Sequence, residues 1–192
     1  MHQIHKNLFV GPRSDYENDV AHRKGWRVVH AAKEPYHREA VGYRGTSPPP
    51  SHPEYLFAKR EHRLMLNLID APVEVDIPKA IFDAALAFIY EGLASGDQLL
   101  IHCNHGVSRS ASIGLLFLWH YYRHSSGGEF PANGRDLQPH LPTTQPWEGD
   151  SPFPDHPLAR IWSTTKTCRL IKAVERATVP PLRSMCESSR SL

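Results

Sequence analysis

Apolar and polar residues alternate in short blocks over the first 124 positions, and these blocks predict strands and helices in turn. Apolar runs bounded by turn-forming residues predict strands over residues 8–10, 27–31, 64–69 and 98–102. Gly11 and Pro12 form a turn after the first strand. Residues 46–53 carry four prolines and are predicted to be loop.

Helical patterns lie between these strands. Residues 16–24 form a polar helical stretch, and residues 111–122 an apolar helix. A further helix has Asp76 as its predicted N-cap and Pro78 in its first turn, where a missing N–H costs nothing. Residues 95–97 end that helix. Its predicted buried positions follow helical spacing and are Ile81, Phe82, Ala85, Leu86, Phe88, Ile89 and Leu93.

Strands that alternate with helices predict an α/β fold, with a central, mostly parallel sheet flanked by helices in a single domain. Residues 1–124 form the core of this domain. Prolines, glycines and hydroxyl residues break any regular pattern over 125–157, which predicts a long loop or insertion. Residues 158–177 are predicted to be a C-terminal helix of the same domain, and 178–192 a disordered tail.

The composition is that of an ordinary soluble globular protein. Of 192 residues 40% are hydrophobic, and the net charge of +2 is too small to indicate nucleic-acid binding by itself. Cys103, Cys168 and Cys186 are an odd number at scattered spacing, which favours a reduced, cytoplasmic setting over a disulfide framework. No signal-peptide pattern opens the chain, and no apolar run is long enough for a membrane span, so no membrane association is expected.

Thirteen histidines raise the question of a metal site. They are spread along the chain, and only His102, Cys103 and His105 cluster. These three lack the paired ligand spacing of a zinc site, so no metal is expected.

The chemistry of the chain centres on the segment from Cys103 to Arg109. An apolar strand places Cys103 at its carboxyl end, and an apolar helix follows Arg109. The residues between them are small or polar, and Gly106 is available for an unusual dihedral angle. Successive backbone N–H groups and a helix N-terminus would make such a loop an anion cradle. The predicted phosphate-binding residues are Asn104, His105, Gly106, Val107, Ser108 and Arg109.

This cradle would also activate the cysteine. The field of the helix N-terminus is expected to lower the pKa of the Cys103 thiol and so supply a nucleophilic thiolate. The planar guanidinium of Arg109 can hold two phosphate oxygens, which Lys could not imitate. The alternative is that Cys103 is simply a buried core cysteine. His102 either braces the loop by hydrogen bonds or occupies the last inward position of the strand.

Residues 102–110, His-Cys-Asn-His-Gly-Val-Ser-Arg-Ser, resemble the His-Cys-x5-Arg-Ser signature of the protein tyrosine phosphatase superfamily. Residues 106–111 resemble its dual-specificity branch, and the similarity extends over about residues 4–122. The resemblance implies a phosphoprotein substrate, carrying phosphotyrosine and, as a second class, phosphoserine or phosphothreonine. It also implies a phosphocysteine intermediate and a reaction that needs no cofactor.

The resemblance assigns two further catalytic roles. In this family an Asp about thirty residues before the Cys acts as general acid and later as general base. Asp70 follows Ile69 directly and lies 33 positions before Cys103, so it matches, with Asp76 as the rival. Ser110 matches the hydroxyl that helps the thiolate leave in the second step.

His105 departs from the usual family pattern. His at this place resembles the loop of RNA 5′-triphosphatase relatives, but those continue with Thr-Gly where this chain has Ser110 and Ala111. RNA is a partner only under that alternative. A third alternative is a non-catalytic phosphate-binding module. The oligomeric state is left open by the sequence.

Several basic residues lie between the second and third predicted strands. They either line the cleft and contact substrate or form a solvated face. The set, which includes the acidic Glu34, is Lys33, Glu34, His37, Arg38, Arg44, Lys59, Arg60 and Arg63.

Overall fold

The structure is a computed structural model that describes residues 1–69 and 77–125. A six-stranded sheet forms the centre of this part of the chain, in the order β1-β2-β6-β3-β5-β4. The strands are β1 (His2–His5), β2 (Leu8–Pro12), β3 (Trp26–His30), β4 (Phe57–Arg60), β5 (Arg63–Leu66) and β6 (Gln98–Cys103). The four inner strands β2, β6, β3 and β5 are parallel, and both edge strands are antiparallel to their neighbours. The predicted α/β fold with a mostly parallel sheet is confirmed.

Two long helices cover one face of the sheet. They are α3 (Lys79–Ala94) and α4 (Arg109–Ser125), and both contact β6. Together with the inward residues of the strands they bury the main core, to which Phe82, Ile89 and Phe117 belong. Six of the seven positions predicted to be buried on α3 are buried, and Leu93 packs partly buried against them.

The opposite face carries shorter helical segments. They are α1 (Arg13–Asp15), which continues into a π-helical turn (Tyr16–Val20), and α2 (Arg38–Val41), which follows a second such turn (Lys33–His37). A smaller apolar cluster of Val20, Val28 and Leu100 lies on this side. The core strand β6 therefore has buried neighbours on both faces, and its alternate side chains point to different layers.

The prediction for the start of α3 is wrong in one respect. The N-cap is Pro78 and the helix begins at Lys79, so neither Asp76 as cap nor Pro78 inside the first turn agrees with the structure. The predicted end is confirmed, because the helix stops at Ala94 and Gly96 adopts a left-handed φ of +80°.

Other differences lie in short or polar elements. The predicted helix over 16–24 ends at Val20, and the strand predicted over 64–69 ends at Leu66. The strands β1 and β4 and the helical segments from Lys33 to Val41 were not predicted, because polar and charged residues hide their pattern. The predictions for 126–157, 158–177 and 178–192 lie outside the described residues.

Candidate active site

Cys103 lies at the carboxyl end of β6, where ligands of open α/β sheets bind. Residues 104–108 form a series of bends, and α4 begins at Arg109. The loop is therefore closed between the end of a buried strand and the N-terminus of a long helix, as the sequence predicts. The backbone N–H groups of Gly106 and Ser110 donate hydrogen bonds to the Cys103 sulfur, and the N-terminus of α4 adds its positive end.

Gly106 allows this loop to turn tightly against strand β2. Its φ is +75°, and an added Cβ would lie 2.7 Å from the backbone nitrogen of Pro12 and 2.9 Å from the carbonyl carbon of Gly11. No other residue type fits both the dihedral angle and the space. Gly11 and Pro12, which the sequence predicts to be a turn, are the last two residues of β2 and pack against this loop.

The Cys103 thiol is buried and hydrogen-bonded to the loop. Its Sγ lies 3.2 Å from the Ser110 Oγ, and the side chain is only 2% exposed. Burial by itself raises the pKa of the thiol. Hydrogen bonds from the Ser110 hydroxyl and from the backbone N–H groups of Ser110 and Gly106 outweigh burial, and the positive charge of Arg109 adds to them. The pKa of Cys103 is consequently lowered from its ordinary value.

Ser110 is fully buried at the base of the loop. Its Oγ lies between the Cys103 sulfur and the carbonyl oxygen of Gly11, at 3.2 and 3.5 Å. A hydroxyl has one proton to donate. When Cys103 is a thiolate, the shorter contact and the negative charge favour donation to sulfur.

The guanidinium of Arg109 is hydrogen-bonded to the segment that follows β5. Its Nη1 donates to the carbonyl oxygen of Leu68 at 3.1 Å, and the backbone N–H of Lys33 donates to the same oxygen at 2.9 Å. Leu68 thus joins the end of β5, the segment after β3 and the guanidinium. This arrangement orients the guanidinium of the residue that is predicted to hold phosphate.

The predicted phosphate-binding residues differ in their exposure. Asn104, His105 and Val107 are exposed, whereas Gly106, Ser108 and Arg109 are half-buried. The backbone N–H of Arg13 donates to the carbonyl oxygen of Asn104 at 3.4 Å, which fixes the first residue of the loop.

His102 points to the face of the sheet opposite Cys103 and is fully buried there. Its Nε2 forms a 2.7 Å hydrogen bond with the Nδ1 of His30, and its ring stacks on Tyr16. His102 therefore occupies an inward strand position, as the second interpretation has it, and its side-chain hydrogen bond goes to His30 and not to the loop. His30, Tyr16 and Tyr36 were not identified from the sequence, although His30 stands at the end of a predicted strand, where a polar residue is unusual.

Three of the basic residues that the sequence places between the second and third predicted strands form ion pairs with acidic partners. Arg38 pairs with Glu34, Arg60 with Glu54 and Lys59 with Glu91. His37 is fully buried, and Lys33 donates to the Ser47 hydroxyl at 2.7 Å. These contacts favour the interpretation of a solvated, ion-paired surface.

Asp70 and Asp76, the two candidates for the general acid, lie outside the described residues. Within 1–69 and 77–125, no three His, Cys, Asp or Glu side chains are grouped so that they could hold a metal ion. None of the helices over these residues is long and apolar enough to cross a membrane.

Comparison with known proteins gives structural matches only. No family model and no curated protein matches the chain. The human tyrosine phosphatase-like serine/threonine/tyrosine-interacting protein matches with 19% identity and a TM-score of 0.49, over 91% of this chain and 95% of that one. The tyrosine phosphatase OH1 from the Orf virus matches with 11% identity and a TM-score of 0.43, over 71% and 67% of the two chains.

A third match is the structure of DUSP15, with 17% identity and a TM-score of 0.43, over 93% of this chain and 97% of that one. All three TM-scores are below 0.5, so the proposal for function rests on the geometry around Cys103.

Proposed function

We propose that this chain is a cysteine-dependent phosphatase that hydrolyses phosphotyrosine in proteins, with phosphoserine and phosphothreonine as a second class of substrate. The observation that carries the proposal is the environment of the Cys103 sulfur. A buried thiol that receives hydrogen bonds from a hydroxyl and two backbone N–H groups, beside an arginine, has a lowered pKa and is suited to act as a thiolate nucleophile. A cysteine that only packs in the core would not need these hydrogen-bond donors.

In the first step the phosphoryl group binds in the loop, with its oxygens on the backbone N–H groups and the Arg109 guanidinium. The Cys103 thiolate attacks phosphorus, the S–P bond forms and the bond from phosphorus to the leaving oxygen breaks. A proton from Asp70 goes to that oxygen, which leaves as the alcohol or phenol. This assigns Cys103 as nucleophile and Arg109 as phosphate clamp.

In the second step water attacks phosphorus, Asp70 takes a proton from the water, and the S–P bond breaks. The electron pair returns to sulfur, where the Ser110 hydroxyl donates a hydrogen bond to the re-formed thiolate. Inorganic phosphate is released. The contact of 3.2 Å between Ser110 and Cys103 supports this role because it needs no rearrangement of either side chain.

The choice of Asp70 depends on its position in the sequence. Because Pro78 is the N-cap of α3, helix capping no longer explains Asp76. Asp70 remains preferred, since it follows directly on Ile69, and Leu68 accepts the hydrogen bond from Arg109.

Two exposed apolar side chains support an aromatic substrate. Val107 is 62% exposed on the loop and Ile69 is 50% exposed beside Leu68. Exposed apolar groups of this size next to a phosphate cradle would contact the ring of phosphotyrosine, and would contribute less to a short phosphoserine side chain.

The proposal is tested by comparing turnover of three substrates in the presence of a metal chelator: a phosphotyrosine peptide, the matching phosphoserine peptide and RNA with a 5′-triphosphate. We expect the phosphotyrosine peptide to be cleaved fastest, with inhibition by vanadate. The Arg109→Lys variant keeps the charge and loses the planar fork, so its kcat/KM should fall at least about a hundredfold.

Faster release of phosphate from RNA would establish the triphosphatase alternative. Binding of the phosphopeptide without turnover would establish a non-catalytic module. Either result would overturn the proposed function.

A further inference from the structure

Two buried histidines and two half-buried tyrosines form a cluster of aromatic rings on the face of the sheet opposite the Cys103 side chain. His30 comes from β3, His102 from β6, and Tyr16 and Tyr36 from the two π-helical turns that cover this face. Tyr16 stacks on His102 with ring centroids 5.0 Å apart, and Tyr36 stacks on His30 at 4.1 Å. Both histidines are fully buried.

The two imidazoles are joined by one hydrogen bond. His30 Nδ1 and His102 Nε2 are 2.7 Å apart, so one nitrogen must carry a proton and the other must present a lone pair. Two imidazolium rings could not face each other in this way. The bond therefore requires a defined tautomer of each ring and holds both rings in fixed orientations.

Burial keeps both imidazoles neutral. Burial lowers the pKa of His30 well below its ordinary value, and His102 and Arg63 act in the same direction. Burial lowers the pKa of His102 to about 4. The charged groups near His102 are Arg13, which opposes its protonation, and Asp15 and Glu17, which favour it without outweighing burial.

The pair is connected to the nucleophile through the strand backbone. His30 and His102 are register partners in the parallel ladder, and the carbonyl of His102 accepts a 2.8 Å hydrogen bond from the Ala31 N–H. Cys103 is the next residue, and its side chain points to the opposite face. A rotation of the peptide at His102 would consequently move the Cys103 sulfur relative to the donors of the loop.

We propose that His30 is a positioning residue of the active site, which holds His102 in one orientation and thereby sets the position of Cys103 within its loop. The inference goes beyond the proposed function, on which it rests for the role of Cys103. His30 contacts neither the Cys103 sulfur nor a bound phosphate. It acts through His102 on the neighbouring strand β6.

The chain allows a test with two variants of equal size. The side-chain amide of Asn can donate or accept a hydrogen bond close to the place of the His Nδ1, whereas Leu has the same shape without a polar group. Both substitutions lose the stacking on Tyr36. The difference between His30→Asn and His30→Leu therefore isolates the hydrogen bond to His102.

The readout is the apparent pKa of the Cys103 thiol, measured as the ultraviolet absorbance of the thiolate relative to the matching Cys103→Ser protein. We expect His30→Asn to keep the wild-type value and His30→Leu to raise it by about one pH unit, which lowers the thiolate fraction about tenfold below that pKa. A folded His30→Leu protein with the wild-type thiol pKa would overturn the inference.

His37→Leu is the matched control. His37 is also fully buried and makes two hydrogen bonds, to the Glu54 carbonyl at 2.9 Å and to the Tyr43 hydroxyl at 3.3 Å, but it contacts neither β6 nor the loop in these bonds. We expect this variant to lower stability and leave the thiol pKa unchanged. An equal rise in both leucine variants would show a general loss of packing and overturn the positioning role.

If His30→Leu does not fold, the inference is tested on the wild-type protein, by measuring the protonation state of its histidines with nitrogen NMR. We expect His30 and His102 to stay neutral at pH 5.5, about one unit below the ordinary histidine pKa, with one N–H shared between the two rings. Independent titration of His30 near its ordinary pKa would refute the inference. These measurements need no turnover. A wild-type protein with a low thiol pKa but no phosphatase activity would contradict the proposed function and leave the positioning role intact.

Discussion

The Ser110 hydroxyl lies 3.2 Å from the Cys103 sulfur, and both side chains are buried at the junction of β6 and α4. In the proposed mechanism this hydroxyl has two roles, because it would stabilise both the attacking thiolate and the departing thiolate. The second role matters more for turnover, since sulfur must leave phosphorus when water attacks.

Replacement of Ser110 by Ala should therefore slow breakdown of the phosphoenzyme more than its formation. A hydrogen bond to a charged group is worth about 1.5–3 kcal/mol, which corresponds to about a ten- to hundredfold lower rate. Rapid-mixing kinetics with an aryl phosphate should show a burst of phenol followed by slow steady-state release. Ser112→Ala, at a buried serine on a different face of the same helix, should behave like the wild type. Equal kinetics in both variants would argue against the role of Ser110.

Gly106→Ala tests the packing of the loop on β2. The substitution places a Cβ at positive φ, which costs about 1–2 kcal/mol, and drives it against Pro12. We expect lower stability in urea and a loss of kcat/KM of more than about tenfold, because the loop must move. Gly96→Ala is the control, since Gly96 has a similar φ of +80° with no atom within 4 Å of the new Cβ. It should lose stability and keep activity. Wild-type activity in Gly106→Ala would show that the tight loop is not needed.

Asp70→Asn and Asp76→Asn distinguish the two candidates for the general acid. A group that protonates the leaving oxygen matters most when the leaving group is a poor one. Asp70→Asn should slow hydrolysis of a phenyl phosphate by about a hundredfold or more and have a much smaller effect on a nitrophenyl phosphate. Asp76→Asn should leave both rates unchanged. The reverse pattern would move the acid assignment to Asp76.

The buried histidine pair predicts how stability depends on pH. Burial lowers the pKa of His102 to about 4, while the unfolded chain binds a proton near the ordinary value of 6.5. The contribution of the neutral ring to the free energy of unfolding is therefore complete above pH 6.5 and is lost as the pH falls towards 4. From pH 7 to pH 5 the free energy of unfolding should fall by about 2 kcal/mol through His102 alone. Urea unfolding of His102→Gln should show a smaller loss, and an identical loss would contradict the buried neutral state.

The sequence predicts the parts of the fold in which apolar spacing is regular. The apolar run of β6 and the helical spacing of α3 and α4 are set by burial in a large core, so the pattern and the structure agree. The edge strand β4 pairs with β5 through backbone hydrogen bonds while Lys59 and Arg60 point to solvent. The two exposed basic residues leave only a short apolar pattern to detect, although the partner strand β5 follows after two residues.

The candidate site also has one part that local sequence patterns predict and another that they do not. The spacing from Cys103 to Ser110 is local, so a strand, a loop and a helix place its residues without help from elsewhere. The contact between His30 and His102 depends on strand register across 72 positions, and the support by Leu68 depends on the order of the strands. Neither follows from a local pattern, and this is why the residues behind the loop were missed.

The central claim is that Cys103 accepts the phosphoryl group. The most direct measurement is acid quenching of Ser110→Ala during turnover of an aryl phosphate, followed by mass spectrometry of its peptides. We predict one phosphoryl group on the peptide that contains Cys103, and none on the corresponding peptide of a Cys103→Ser protein, which should also be inactive. Turnover that persists in Cys103→Ser, or a phosphoryl group found on another residue, would contradict the claim.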